Sequence, residues 1–130
     1  MLLGPLGTRI GEILLSTNKE AGFLMSLVCD DSGLLLAVAG EGADEDQLAG
    51  LTSLFDDIAT RARRDIGLQQ VDEVTMFDAE WGRYVIRPLP IHTGGRFFLV
   101  VRVPARSTWR RYTNKLKREI TKLFTDASEP

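Results

Sequence analysis

A single histidine and a single cysteine limit the acid–base, nucleophilic and metal chemistry open to this chain of 130 residues. His92 sits in Pro90-Ile91-His92-Thr93-Gly94, a turn sequence that offers it no evident partner. A general base needs one within hydrogen-bond reach. Cys29 ends an apolar run and is followed by Asp30 and Asp31. Neighbouring negative charge disfavours a thiolate, so the spacing suits core packing better than catalysis. One imidazole and one thiol cannot close a tetrahedral zinc site. Asp44-Glu45-Asp46 lacks the ligand spacing of a calcium loop. Gly40-Glu41-Gly42 lacks the third glycine of a dinucleotide loop, and the acids after it would repel a pyrophosphate. No cofactor or metal is expected. The chain reads as a non-catalytic protein whose work is binding.

The elements that would position binding residues are legible from periodicity. Thr8–Thr17 has a helical face of Ile10, Ile13 and Leu14, with Thr8 as N-cap and Thr17-Asn18-Lys19-Glu20 as a polar connection. Ala21–Asp30 is apolar on both faces, as a central strand should be. Asp31-Ser32-Gly33 makes a hairpin turn into a second strand, Leu34–Ala39. Asp44 opens a long helix to Ile66, with Gln47 in capping-box position and a stripe of Leu48, Leu51, Phe55, Ala59, Ala62 and Ile66. Three strands follow, Glu73–Asp78, Arg83–Leu89 and Phe97–Val103, joined by Glu80-Trp81-Gly82 and His92-Thr93-Gly94-Gly95. A last helix runs from about Thr108 to Phe124. The expected class is α/β of the α+β type, ordered α-β-β-α-β-β-β-α. Its single five-stranded, mostly antiparallel sheet would carry the long helices on one face. Residues 1–130 form one domain, with a core over 8–124 and a polar tail over 125–130.

Charge is unevenly spread. Residues 1–80 hold 15 acids and 5 bases, a charge of −10, and residues 81–130 hold 3 acids and 11 bases, a charge of +8. On the last helix Arg111, Lys115, Arg118 and Lys122 fall within one narrow arc, opposite Trp109, Tyr112, Leu116, Ile120 and Leu123. Such a stripe attracts an acidic protein or an anionic membrane. Nucleic acid is not expected, because the chain as a whole is acidic and no aromatic platform stands out on its strands. No apolar run approaches bilayer length, and the apolar start lacks a basic region, so a cytoplasmic location is expected.

A second binding surface concerns self-association. The apolar stripe of the long helix is complete without Leu54 and Ile58, which widen it to one side. In the third strand, Glu73, Val74, Thr75, Met76 and Phe77 include neither proline nor lysine to guard an edge. If that strand lies at the sheet edge, an adhesive edge and an over-apolar helix flank together predict a two-fold homodimer; the alternative is a neighbouring loop that covers both.

Gly22-Phe23-Leu24-Met25-Ser26-Leu27-Val28, running into Asp30-Asp31-Ser32-Gly33-Leu34-Leu35-Leu36-Ala37, resembles the strand–turn–strand of the roadblock/dynein-light-chain family, with its Asp-x-x-Gly-Leu turn. The order of the later elements matches over about residues 8–124, including Glu73-Val74-Thr75, a Gly82-led strand and Phe97-Phe98-Leu99-Val100-Val101. The resemblance is closest to bacterial MglB-type regulators. It implies a homodimer with paired third strands and antiparallel long helices. It also implies a Ras-like small GTPase as partner, regulated without an active site of its own. Asp57, Thr60, Arg61 and Arg64 on the outward side of the long helix, with the basic stripe, would be the contact residues. A membrane or complex-assembly scaffold acting through the basic last helix is the alternative. An arginine finger given in trans by Arg83 or Arg96 is a less favoured possibility, because both sit on turns.

Overall fold

The computed structural model describes residues 4–41, 45–80, 82–92 and 95–128. The elements are α1 (Pro5–Ala21), β1 (Met25–Asp30), β2 (Leu35–Gly40), α2 (Glu45–Ile66), β3 (Val74–Asp78), β4 (Gly82–Pro88), β5 (Phe97–Val103) and α3 (Arg110–Ser128). Class and element order are as expected. The capping role expected of Asp44, the complete Gly40-Glu41-Gly42 segment, Trp81 and Thr93-Gly94 lie outside the described residues.

All strand pairs are antiparallel, in the order β2-β1-β5-β4-β3. The central strands β1 and β5 are almost wholly buried, and their alternating residues divide the core in two. Val28, Leu99, Val101 and Val103 pack with Ile10 and Leu14 of α1 and with Leu116 and Ile120 of α3. Met25, Leu27, Cys29, Phe98 and Val100 pack instead with Leu48, Phe55 and Ala59 of α2. The expectation that the long helices share one face is therefore corrected. A strand apolar on both faces needs a helix layer on each, and α2 covers the face that α1 and α3 leave bare.

Helix α1 is longer than its apolar pattern suggests. It begins after Gly4, with Pro5 supplying a pre-set φ at the start, and Thr8 lies inside it, its Oγ1 donating to Gly4 O at 3.1 Å. At the other end Thr17 and Asn18 are buried rather than looped out. Ser26 Oγ donates to Asn18 Oδ1 at 2.7 Å, and Asn18 Nδ2 donates to Ala39 O at 3.2 Å. A satisfied amide allows a polar residue to be buried at low cost. Helix α3 likewise continues through Ser128, beyond the expected end at Phe124.

The β1–β2 turn shows why aspartate and glycine occur there. Asp30 Oδ1 accepts from Ser32 N at 2.9 Å, Ser32 Oγ at 2.7 Å and Leu34 N at 2.9 Å. Burial works against that charge, but these donors prevail and hold the carboxyl below its ordinary range. Gly33 has φ +87°, and a Cβ there would lie 2.7 Å from the Ala49 nitrogen of α2. The turn and the helix can approach only because that residue has no side chain.

Candidate interaction surfaces

Among the described residues strand β3 pairs with β4 alone, so its outer side is an open sheet edge. Val74 and Met76 pack toward α2, whereas Phe77 is 67% exposed. Leu54 and Ile58 of α2 are 38% and 37% exposed, and Leu54 borders a groove that Met76 of β3 also lines. Gly50, Leu51 and Leu54 face Met76 and Tyr84 across a groove of about 370 Å³. Ile66, at the helix end, is 72% exposed, and Leu68 beyond it is also exposed. Exposed apolar groups clustered at an unpaired strand are an adhesive surface.

Glu73 is part of a different arrangement. Its Oε1 accepts from Trp109 Nε1 and Arg110 Nη1, both at 3.1 Å, and its Oε2 accepts from Thr75 Oγ1 at 2.7 Å. Asp72 next to it accepts from Lys117 Nζ at 2.9 Å and from Arg110 Nη1 and Nη2 at 3.1 Å. At the centre is Arg87 of β4, 2% exposed, which donates to Asp72 Oδ2 at 2.7 Å, Thr113 Oγ1 at 2.9 Å and Asn114 Oδ1 at 2.6 Å. This network fastens the segment entering β3 to the start of α3. Sequence reasoning missed it. The available signal was strand parity: Arg87 shares a face with Val85, which the alternation makes a core position.

The outward residues of α2 are all accessible. Asp57, Thr60, Arg61 and Arg64 are exposed, Asp57 pairs with Arg61 at 3.4 Å, and Arg64 pairs with Asp65 at 2.8 Å. The stripe on α3 is less uniform than its spacing suggests. The Arg111 guanidinium stacks over Tyr112 at 5.6 Å, and Lys115 pairs with Glu20 of α1 at 3.3 Å. Among the described residues Arg118 and Lys122 have no ionic partner.

Arg83 and Arg96 are both engaged within the fold, and Arg83 lies in strand β4 and not on a turn. Arg83 lies over the Phe77 ring at 4.7 Å and the Trp109 ring at 5.7 Å, and its Nη1 donates to Pro104 O at 3.2 Å. Arg96 is hydrogen-bonded to Asp56, pairs with Asp31 at 3.5 Å and lies over Phe98 at 5.5 Å. His92 is exposed in its turn. Cys29 is fully buried; burial, aided by the charge of Asp30, pushes its thiol up to about 12. Among the described residues no group of three histidine, cysteine, aspartate or glutamate side chains could hold a metal ion, and no helix is long and apolar enough to cross a membrane. The arrangement offers docking surfaces and structural ion networks.

No known family model and no curated protein matches the chain. Solved structures do. Myxococcus xanthus MglB is 18% identical, with 100% of this chain and 97% of that one covered and a TM-score of 0.81. The gliding protein MglB of Thermus thermophilus is 17% identical, covering 97% and 96%, with a TM-score of 0.69. A Roadblock/LC7 domain from Streptomyces avermitilis is 13% identical, covering 90% and 92%, with a TM-score of 0.63. With two helices over one side of a five-stranded sheet, a third over the other and β3 at its edge, the chain has a roadblock-like fold of the MglB type.

Proposed function

We propose that this chain is a non-catalytic, homodimeric regulator or adaptor that binds a Ras-like small GTPase in the cytoplasm. The observation that carries the reading is the open β3 edge, with Leu54 and Ile58 exposed on α2, on a fold shared with MglB. Antiparallel neighbours in a sheet are related by two-fold axes perpendicular to it. Two copies joined through β3 would therefore place both α2 helices on the same side of one continuous ten-stranded sheet. Leu54 and Ile58 of each would then be covered by the other copy. Asp57, Thr60, Arg61 and Arg64 of both copies would remain outside and form one polar platform. Catalysis would stay with the GTPase, since Arg83 and Arg96 are already held by their own fold.

The test is retention of a Ras-like GTPase, loaded with GTP or GDP, on immobilised protein. The reading expects preferential capture of one nucleotide state. It also expects loss of most of that capture in Arg61→Glu/Arg64→Glu, with the dimer intact. Equal and negligible retention of both states would count against a GTPase partner.

A further inference from the structure

The outer side of α3 carries a shallow groove of about 600 Å³, bordered by Pro90 and lined by Asn114, Lys117, Arg118, Thr121 and Lys122. We infer that this groove is a docking site for an acidic protein segment, whose aspartate or glutamate side chains pair with Arg118 and Lys122. It lies on the sheet face opposite α2 and does not depend on the GTPase reading.

Charge complementarity carries the inference. Three of the six cations of this helix already have an opposite charge: Arg110 has Asp72 and Glu73, Lys115 has Glu20, and Lys117 has Asp72, while Arg111 is stacked over the Tyr112 ring. Arg118 and Lys122, one helical turn apart on the exposed side, have none among the described residues. From Asn114 to Thr125 the groove follows the helix for roughly 16 Å, which about five extended residues span. The alternative of an anionic membrane fits less well. Interfacial helices insert large apolar residues beside their cations. None of the exposed large apolar residues described in this chain lies on α3.

A fluorescein-labelled octaglutamate peptide, titrated with the intact protein at low salt and followed by anisotropy, tests this. The wild type should bind, and added salt should weaken binding. Arg118→Glu/Lys122→Glu should weaken it about tenfold or more, and Arg118→Gln/Lys122→Gln by a smaller factor. Arg9→Glu/Arg63→Glu, which alters net charge equally at exposed sites elsewhere, should stay within about twofold of wild type. Equal loss in the two reversal variants would reduce the effect to net charge and overturn the site. So would failure of the wild type to bind the peptide, or phosphatidylserine vesicles captured through Arg118 and Lys122 while the peptide is ignored. Circular dichroism melts of each variant ensure that a loss is read on folded protein.

Discussion

Arg87 Nη2 lies 2.7 Å from Asp72 Oδ2, so a guanidinium only 2% exposed holds the residue that leads the chain into its open edge strand. The pair joins the interior of the sheet to the surface proposed for self-association. Removing the anion leaves a buried cation with only the more distant carboxylate of Glu73, 3.8 Å from its Nε, as an ionic partner among the described residues. Asp72→Ala should therefore lose about 2 kcal/mol, less than the cost of breaking a fully buried pair because Asp72 is half exposed. Arg87→Met should lose less, since an apolar replacement leaves no unpaired buried charge. Urea unfolding reads both as a lower midpoint at unchanged slope. An Asp72→Ala midpoint equal to wild type would remove this network from the account.

The same carboxyl sets a pH dependence. Partial burial alone would raise its pKa, but Lys117, Arg87 and Arg110 outweigh this and hold it well below the usual carboxylate range. A depressed folded pKa gives stability that is present above the unfolded value of ~3.9 and lost as pH falls through the folded value. The stability gap between wild type and Asp72→Asn should be widest near neutrality and should narrow below about pH 4. A constant gap from neutrality into acid would contradict it.

Cys29 should be silent in the native state. With the thiol at 0% exposure and pushed up to about 12, a disulfide reagent at neutral pH should label it only as fast as the protein opens. Immediate stoichiometric labelling without denaturant would show that the α2 layer does not cover the sheet as described.

Gly82 has φ +91°, and a Cβ there would lie 2.3 Å from Val103 O. Gly82→Ala should cost at least ~2 kcal/mol through backbone strain and displacement of β5. A melting temperature within a degree or two of wild type would contradict the register of β4 on β5.

Much of this architecture is readable in the residues. The β5 bounds match expectation, and the Asp30–Gly33 turn occurs as its residue types require, because alternation and turn chemistry are local signals. What escapes a reading of the sequence depends on burial of polar groups. Asn18 reads as a linker residue because its partners, Ser26 and Ala39, are distant in the sequence. Arg87 goes unremarked in the sequence because nothing local shows that Asp72, Thr113 and Asn114 converge on it. Counting helices without following the two-sided apolar pattern of β1 puts α2 on the wrong face. The α3 stripe is correct in its arc, but Lys115 is matched by Glu20, a pairing that arises only when α1 and α3 lie side by side.

Solution mass is the most direct test of the central claim that two copies join through β3 and the Leu54–Ile58 flank. Light scattering on the eluting protein at high micromolar concentration should give twice the 14.5 kDa of one chain. Ile58→Asp should return it to a single chain that remains folded. A wild type that stays at one chain mass across that range, or an Ile58→Asp variant that stays doubled, would contradict the account.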